Sequence, residues 1–538
     1  MSAPLPGLMQ PAQLAIIDIL RFAATAHGTR EIMSKQVDGP LWRSNYAGTL
    51  DRVAQTAHML TQLGVAPGDR VSSLAWNTHR HFELFYAVPG MGAVLHTANP
   101  RLPDEHLAYT INHAESRVLL YDANLGDIVD RLRSRLPHVE QFVALTNDDH
   151  DRRIAAHTAD FRWPALDENS GAFLCYTSGT TGDPKGVLYS HRSVVLHALA
   201  AGLPGALDFD AADVIMPCQS LYHATAWGLP FAGAIAGAKF VLPCDKFDGA
   251  SLQQLIEDEQ VTFSGGVPTI WTMYLAHLDQ TGGRPGTLQR VIIGGSAVPR
   301  AMAETFERRY GVKVRQIWGM TETSPLGVVS TPTPPLEALG EEEASEVIWT
   351  RQGRMMFGIE MRIVGEDGEV LPHDGEQSGA LQVRGPWVLN RYFRKEAPAT
   401  DAHGWFDTGD ISTIDRFGFM RITDRKKDVI KSGGEWISSI DLENVAVACP
   451  GVKVAAVVGV AHPRWEERPI LIIEPHKDAS IDEAIITSWL ADRVARWWLP
   501  DRILFETVPL TATGKIDKKM IRDRHATLLM QSQHTSAK

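Results

Sequence analysis

The sequence contains few cysteines and no long apolar run. Its four cysteines are widely spaced over 538 residues and form no Cys-x-x-Cys pair, which argues against a zinc site or a disulfide framework and suits a reducing cytoplasm. The longest uncharged stretch, near Ala224–Ala238, contains Gly and Pro and is too short to span a bilayer. Residues 1–7 lack a basic region and an apolar core, so no signal peptide is expected. We therefore expect a cytoplasmic protein without a transmembrane segment.

The sequence also lacks a basic surplus. The formal net charge is −12, and Lys and Arg form only short clusters. Because a nucleic-acid binder usually presents a basic face, no nucleic-acid partner is expected. Low-complexity segments and internal repeats are absent as well. At 538 residues the chain is too long for one ordinary core, so two or more domains are expected.

What the sequence does have is one stretch rich in Gly, Ser and Thr. It spans Tyr176–Val187, continues from the apolar run Ala172–Tyr176, and precedes a segment with helical pattern from about His191 to Ala201. Glycine allows successive backbone N–H groups to turn toward one point, which makes a cradle for phosphate oxygens. Lys185 adds a positive point charge that a phosphate would attract. This order of strand, loop, short strand and helix predicts a phosphate site rather than a linker.

The spacing of this loop fits neither of two common phosphate motifs. A Walker A loop requires G-x-x-x-x-G-K-[ST], and neither Gly179 nor Gly182 has that spacing as its first glycine. A dinucleotide fingerprint fails as well, because Gly90 and Gly92 have no third glycine at the required place.

Helical and strand patterns alternate through the first part of the chain. A helix at Asp104–Ala114 is followed by a strand at Arg117–Asp122, and such alternation predicts a parallel sheet covered by helices. The last part has the pattern of a small α+β unit, with a strand at Val454–Val460 and a helix at Asp482–Trp497. The charged segment Asp424–Asp428 lies between the two parts and is typical of a linker.

Several local sequences agree with one family. The loop is part of Y-T-S-G-T-T-G-D-P-K-G-V, W-G-M-T-E begins at Trp318, and K-S-G-G-E-W-I-S begins at Lys431. Together they resemble the adenylate-forming superfamily, and most nearly its bacterial medium- and long-chain fatty acyl-CoA synthetases. The resemblance covers about Ile16 to Lys519. It implies an α/β fold with a large N-terminal domain of helix-covered sheets (residues 1–424), a hinge linker (425–430) and a small mobile α+β C-terminal domain (431–538).

The resemblance also implies which residues bind ATP. In this scheme Trp318 offers adenine an aromatic face, and Asp410 accepts hydrogen bonds from both ribose hydroxyls. The expected ATP- and AMP-binding residues are Thr177, Ser178, Gly179, Thr180, Thr181, Gly182, Lys185, Gly295, Ser296, Trp318, Gly319, Asp410 and Arg425. The expected catalytic residues are Lys515, Glu322, Thr321 and His223, and Glu322 and Thr181 are the expected Mg²⁺ ligands.

The acyl and CoA sites follow from the same resemblance. His223 is expected at the substrate carboxylate, and the acyl pocket and its gate at Trp227, Tyr222 and Gly294. The spacing alone would place His223 and Trp227 on one face of a helix, where a core His beside a core Trp is the simpler interpretation. The CoA-binding residues are expected to be Lys431, Gly433, Gly434 and Trp436, and the hinge residue Lys427.

The resemblance implies a two-step ligase that uses ATP, Mg²⁺ and CoA. A carboxylic acid becomes an acyl-adenylate with loss of pyrophosphate, and CoA then displaces AMP. A medium- or long-chain fatty acid is the expected substrate. Ser220, Leu221 and Tyr222 replace the Pro, Met and Phe of the family pattern, so an aryl or arylalkanoic acid is the alternative. Three further alternatives are a carrier-protein-loading enzyme, a non-catalytic nucleotide- or acyl-binding protein, and a luciferase-like oxygenase. The resemblance implies a homodimer.

Overall fold

The computed structural model describes residues 5, 7–177, 183–432, 435–477, 479–511 and 515–530, without the side chains of Glu435 and Trp436. Within these residues the chain forms four sheets. The α-helices are Ile16–Ala26, Tyr46–Gln62, His79–Gly90, Asp104–Ala114, Gly126–Leu132, Arg152–Ile154, His191–Gly202, Leu229–Ala236, Gly249–Glu259, Pro268–Thr281, Arg300–Glu304, Pro334–Glu337, Glu341–Thr350, Ser439–Val447, Glu483–Ala491 and Lys518–His525.

Two large sheets with parallel centres make up most of the N-terminal part. The nine-stranded sheet has, in spatial order, the strands Arg354–Met355, Leu326–Val329, Lys313–Gly319, Arg290–Ile293, Phe263–Gly266, Val214–Pro217, Lys239–Leu242, Glu31–Ser34 and Trp42–Asn45. The six-stranded sheet has the order Gln141–Ala144, Ser116–Tyr121, Arg70–Leu74, Val94–Thr97, Gly171–Tyr176 and Gly186–Ser190. Some strands in the parallel parts of these sheets are buried along their whole length, such as Val94–Thr97 and Val214–Pro217, as is usual where helices cover both faces of a sheet.

Two smaller sheets complete the chain. An antiparallel four-stranded sheet contains Glu360–Val364, Gly379–Arg384, Phe406–Ile414 and Met420–Arg425. The last sheet contains Glu435–Ile437, Ile430–Ser432, Glu466–Pro475 and Val452–His462, and Arg502–Phe505 pairs in parallel with Glu466–Pro475. This last sheet has its own apolar cluster, which includes Ile437, Leu442 and Leu471.

Local sequence explains where the helix after the phosphate loop begins. Ser190 Oγ accepts a hydrogen bond from the Ser193 amide at 3.1 Å, and Ser193 Oγ accepts one from the Ser190 amide at 3.0 Å. This reciprocal capping satisfies two backbone donors that a helix end otherwise leaves unpaired. It therefore sets the start of the helix at His191, as the sequence predicts.

The predicted α/β fold, with a large N-terminal domain and a small C-terminal one, is confirmed. The helix predicted at Asp482–Trp497 is wrong in length. The observed helix spans Glu483–Ala491, and a separate 3₁₀ turn follows at Arg496–Trp498. The chain leaves the helix there because Trp498 and Leu499 pack against the apolar cluster of the last sheet.

The sequence also predicts no disulfide framework and no transmembrane segment. All four cysteines are unpaired and buried. No helix among the described residues is both long and apolar enough to cross a membrane.

Candidate active site

The candidate residues gather at the carboxyl ends of parallel strands. Thr177 follows the strand Gly171–Tyr176, and Gly294 follows the strand Arg290–Ile293. The two sheets meet at this edge, where the Tyr189 hydroxyl donates to the Thr321 carbonyl oxygen at 2.6 Å. Ligands of open α/β sheets bind at this edge because loops from several strands converge there.

The phosphate loop is closed at its base. The Thr177 amide donates to the Lys185 carbonyl at 3.0 Å, and the Lys185 amide donates to Thr177 Oγ1 at 3.2 Å. Lys185 is exposed, and its Nζ lies 4.9 Å from the centroid of the Tyr392 ring. The remaining predicted phosphate ligands, Ser178, Gly179, Thr180, Thr181 and Gly182, lie outside the described residues.

Glu322 is a buried carboxylate beside this loop. Tyr392 donates its hydroxyl hydrogen to Glu322 Oε1 at 2.7 Å. Burial raises the pKa of Glu322, while the Tyr392 hydrogen bond and the positive charge of Arg425 oppose that rise. One buried carboxylate next to a phosphate cradle fits Mg²⁺, which proteins often hold with one or two carboxylates plus the phosphates of the substrate.

Asp410 is a second buried carboxylate. Its Oδ2 accepts a hydrogen bond from Trp318 Nε1 at 2.9 Å, and its Oδ1 lies 2.7 Å from Arg425 Nε. Burial raises the pKa of Asp410, and the charge of Arg425 and the Trp318 hydrogen bond oppose that rise. The structure therefore brings three of the predicted nucleotide-binding residues into one connected group.

Lys515 reaches this group from the small domain. The Thr511 amide donates to the Lys515 carbonyl at 2.7 Å, and the Lys515 amide donates to Thr511 Oγ1 at 3.2 Å, so two hydrogen bonds hold Lys515 against Thr511. Desolvation lowers the pKa of Lys515 to about 8, although the charges of Asp410 and Glu322 oppose this. A partly desolvated ammonium group thus faces two carboxylates across the domain boundary.

His223 lies close to Lys515 on the large domain. Desolvation, together with the charge of Lys515, lowers the pKa of His223 to about 4. Its imidazole is therefore neutral at pH 7 and can exchange a hydrogen bond with a carboxylate without carrying a charge. A small cavity next to it is lined by Tyr176, Thr177, Tyr222 and His223.

The segment from His223 to Trp227 is not an α-helix, so the two side chains do not share a helix face. The residues from Ala224 to Trp227 have φ between 44° and 57°, so they form a left-handed turn. Such backbone costs about 1–2 kcal/mol per non-glycine residue, and the surroundings compensate for it. Gln219 Nε2 donates to the Ala226 carbonyl at 3.0 Å, and Gly228, at φ 77°, lies so close to His197 that a Cβ would be 2.6 Å from that ring.

Trp227 lies beside Gly295, a predicted nucleotide-binding residue that directly follows the predicted acyl-pocket residue Gly294. A Cβ on Gly295 would be 3.8 Å from Trp227 Cζ2 and 3.2 Å from Val267 Cγ1, and Gly295 itself has φ 84°. A Cβ on Gly294 would be 2.4 Å from Ile317 Cγ1. A side chain at Gly294 would clash with Ile317, and the positive φ of Gly295 favours glycine there. Ser296, the next residue, is exposed.

The predicted hinge lies between two strands. Met420–Arg425 belongs to the four-stranded sheet and Ile430–Ser432 to the last sheet, which leaves residues 426–429 to join them. Across this segment the Asp424 carboxylate accepts hydrogen bonds from the amide and the hydroxyl of Ser439, at 2.6 and 2.9 Å. The Arg522 guanidinium lies 2.9 Å from Asp428 Oδ1.

The predicted CoA residues are described only in part. Lys431 is exposed, and its amide donates to Glu467 Oε2 at 3.1 Å. Gly433, Gly434 and the side chain of Trp436 lie outside the described residues.

Sequence reasoning missed two residues that hold the site together. Tyr392 binds Glu322, and Tyr189 links the two sheets through the Thr321 carbonyl. Neither tyrosine belongs to a motif with meaningful spacing, so only the tertiary contact reveals it. Two buried carboxylates with the cations Lys515 and Arg425 around them are the arrangement expected of a nucleotide-binding enzyme that has a large and a small domain.

Comparisons with known proteins agree with this class. The family model described as AMP-binding enzyme matches residues 21–393, and the AMP-binding enzyme C-terminal domain matches residues 441–515. A 3-methylmercaptopropionyl-CoA ligase of Ruegeria lacuscaerulensis is 44% identical over 530 residues, which is 96% of this chain and 98% of that protein. A medium-chain-fatty-acid–CoA ligase of Ectopseudomonas oleovorans is 42% identical over 539 residues, 98% of each chain.

A solved structure shares the fold along nearly the whole chain. The anthranilate CoA ligase AuaEII in complex with anthranoyl-AMP has a TM-score of 0.86 at 22% identity, and the match covers 97% of this chain and 99% of that one. The chain therefore belongs to the AMP-binding enzyme family, as an acyl-CoA synthetase of the adenylate-forming superfamily.

Proposed function

We propose that this AMP-forming acid–CoA ligase activates an aliphatic carboxylic acid, of medium or long chain, at the site between Lys515 and His223. The observation that carries the proposal is the convergence of Lys515, Glu322 and Asp410 from two domains, since their charges act on one another. Phosphoryl and nucleotidyl transfers depend mainly on positioning and electrostatic stabilisation, and this group supplies both.

In the first step a carboxylate oxygen of the acid attacks the α-phosphorus of ATP. The new bond gives the acyl-adenylate, and the bond between the α- and β-phosphates breaks to release pyrophosphate. Lys515 and Lys185 stabilise the negative charge that builds up. His223, neutral at pH 7, orients the attacking carboxylate by a hydrogen bond. Glu322 would hold Mg²⁺, which neutralises phosphate charge when it is bound.

In the second step the CoA thiol attacks the carbonyl carbon of the acyl-adenylate. A carbon–sulfur bond forms, the carbon–oxygen bond to AMP breaks, and AMP leaves. Lys431 and the Gly433–Gly434 segment are proposed to guide the thiol arm. Because they lie on the small domain, we propose the domain boundaries 1–424, 425–430 and 431–538 and a rotation about Lys427 between the two steps.

The proposed acid is aliphatic because two relatives that match nearly the whole chain at 42–44% identity are named for aliphatic acids. The apolar surroundings agree: Leu221, Trp227 and Tyr222 are all buried. Tyr222 and its neighbour Trp76, whose ring centroids are 6.1 Å apart, also offer aromatic surface. A ring-bearing acid is therefore the second candidate.

A substrate panel tests this proposal. We expect AMP release with ATP, Mg²⁺ and CoA to be greatest with a straight-chain acid between about C4 and C18, at least about 10-fold above any ring-bearing acid, because each buried methylene adds binding energy. Phenylpropionic, phenylacetic and benzoic acids serve as the ring-bearing set. A maximum among these would replace the aliphatic proposal with an aryl-acid ligase. AMP release only with a carrier protein would contradict the use of CoA.

The pKa of Lys515 predicts how adenylation depends on pH. Since that pKa is about 8, the ammonium is charged at pH 7 and loses its proton as the pH rises through 8. We expect kcat/KM for ATP in pyrophosphate exchange to fall above about pH 8, because it reports the free enzyme. Lys515→Arg keeps its charge at alkaline pH, so its profile should lack this fall. The same fall in both proteins would contradict the assignment.

The proposal also covers the oligomeric state and the cellular location of the protein. We propose a homodimer, as the family resemblance implies, which sedimentation of the purified chain would test. We also propose that it works in the cytoplasm, where four buried thiols would remain reduced.

A further inference from the structure

The left-handed turn from Ala224 to Trp227 directly follows His223 and ends at the expected acyl gate. Its four consecutive non-glycine residues, with φ between 44° and 57°, are in a backbone region that is unfavourable for them. Such backbone persists only where contacts from outside the turn hold it in place. The partners of this turn therefore matter for the placement of the acid site.

Ala226 connects the turn to His223. Its amide donates to the His223 carbonyl oxygen at 3.0 Å, and its own carbonyl oxygen accepts a hydrogen bond from Gln219 Nε2 at 3.0 Å. The His223 amide donates to the Ser220 carbonyl oxygen, also at 3.0 Å. Both backbone polar groups of His223 are thus hydrogen-bonded, and Gln219 is the next partner along this chain of hydrogen bonds.

The Gln219 side chain is buried, and its hydrogen bond goes to the turn. The residue is 4% exposed, and its Oε1 has no partner among the described residues. A buried acceptor without a donor destabilises the folded protein. Core packing alone would favour an apolar side chain at this position, whereas the bond to Ala226 requires the amide.

Asn77 holds the backbone on both sides of Gln219. It is 1% exposed, and its Nδ2 donates to the carbonyl oxygens of Pro217 and Gln219, at 2.9 Å each. Its Oδ1 accepts a hydrogen bond from the Leu221 amide at 2.8 Å. Asn77 lies just beyond the strand Arg70–Leu74 of the six-stranded sheet, whereas Pro217 ends a strand of the nine-stranded sheet. One buried amide therefore fixes this segment against the six-stranded sheet.

We propose that Asn77 and Gln219 are positioning residues for the acid substrate, which hold the left-handed turn so that the imidazole of His223 stays at the substrate carboxylate. The inference rests on the proposed function, in which His223 orients that carboxylate. Asn77 fixes the backbone of Gln219, and Gln219 fixes Ala226, so neither amide needs to touch the substrate. The residues expected to bind ATP lie outside this chain of hydrogen bonds, and its loss should therefore affect the acid and not ATP.

Gln219→Met tests the bond to the turn, since methionine is a flexible side chain of similar length without an N–H donor. We expect kcat/KM for the acid in pyrophosphate exchange to fall about 10- to 100-fold, as a small displacement at the reacting centre can cause. The Kd of ATP, measured by calorimetry without acid, should change by less than about 2-fold. An unchanged kcat/KM for the acid, or an equal loss of ATP affinity, would overturn the inference.

Gln316→Met is the matched control. Gln316 is 1% exposed, and its Nε2 donates to the Ile348 carbonyl oxygen at 3.1 Å, so this variant also removes a buried amide that is bonded to backbone. Both variants should melt at a lower temperature than the wild type, but only Gln219→Met should lose kcat/KM for the acid. The same loss in both variants would mean that Gln219 only stabilises the fold, and would overturn the inference. If Gln219→Met does not fold, Gln219→Glu, which keeps the shape but lacks the Nε2 donor, takes its place.

Asn77→Asp tests the first link of the chain. It keeps the shape of the side chain but replaces the Nδ2 donor with an acceptor that faces the carbonyl oxygens of Pro217 and Gln219. We expect the same pattern as in Gln219→Met, with kcat/KM for the acid reduced and the Kd of ATP retained. A folded Asn77→Asp protein with wild-type kinetics for the acid would contradict the role of Asn77.

A double-mutant cycle with His223→Ala shows whether the effect passes through the imidazole. In the His223→Ala background, Gln219→Met should lower the remaining kcat/KM for the acid by less than about 3-fold, because the effects of residues that act through one group are not additive. If the two losses multiplied in full, Gln219 would act independently of His223 and the inference would fail.

Failure of the proposed function would look different. If the wild-type protein bound no ATP by calorimetry and showed no pyrophosphate exchange with any acid, the function itself would fail. If the wild type exchanged normally and the folded Gln219→Met and Asn77→Asp variants kept its kcat/KM for the acid, only the positioning role would fail. Thermal melting shows whether each variant is folded.

Discussion

Replacing Lys515 with alanine is expected to reduce ATP–pyrophosphate exchange by about 10²- to 10³-fold, the usual effect of removing one group that stabilises developing negative charge. In the structure the Lys515 ammonium is desolvated and faces the carboxylates of Asp410 and Glu322. Bound ATP would bring its phosphates to the same place. Exchange of labelled pyrophosphate into ATP measures this step without CoA.

The same variant should leave the second half-reaction nearly intact. CoA attack on a synthetic acyl-adenylate releases AMP rather than pyrophosphate, and in the proposed rotation about Lys427 the small domain has already moved Lys515 away before this step. Lys519→Ala is the matched control, because Lys519 is exposed in the same short helix, Lys518–His525, that follows Lys515. If Lys515→Ala exchanged pyrophosphate at the wild-type rate, the assignment of the first step would be wrong.

Replacing Lys427 with proline is expected to slow thioester formation far more than adenylation. The segment 426–429 joins two sheets, and contacts across it hold Lys515 at the large domain. The Asp424 carboxylate binds both the amide and the hydroxyl of Ser439, and Ser438 Oγ donates to the Thr423 carbonyl. A proline restricts φ at the residue that must turn, so the arrangement seen here should persist.

We expect the slowed half-reaction to lose roughly 10²-fold in rate, which corresponds to about 2.7 kcal/mol of activation free energy. CoA-dependent AMP release from synthetic acyl-adenylate should fall by that factor, while pyrophosphate exchange changes by less than about 10-fold. Lys427→Ala is the matched control, since it removes the ammonium but keeps the backbone free. Equal loss in both half-reactions would argue against a hinge at this residue.

Some parts of the fold are predictable from sequence because they depend on local chemistry. The helix Asp104–Ala114 is predicted with both of its ends, since acidic residues in its first turn favour that terminus. The helix after the phosphate loop begins at His191 because Ser190 caps it. The apolar run Ala172–Tyr176 is predicted to be a strand, and it lies in the observed strand Gly171–Tyr176.

Other parts are not predictable because they depend on distant neighbours. The left-handed turn from Ala224 to Trp227 is maintained by Gln219 and by the packing of Gly228 on His197. A spacing of four residues points to a right-handed helix instead. The contact of Tyr392 with Glu322 joins side chains 70 residues apart, and no local pattern links them.

Residue types and their order along the chain already establish which chemical groups are available: the phosphate loop, the Trp318–Glu322 motif, Asp410, and Lys515 near the C-terminus. How these groups act on one another depends on tertiary contacts. Burial shifts the pKa values of His223 and Lys515 to about 4 and about 8, because removing water disfavours the charged form of each. The Trp318 indole donates to Asp410, which is 92 residues further along the chain, and this contact depends on which surfaces meet in space rather than on their order in the chain.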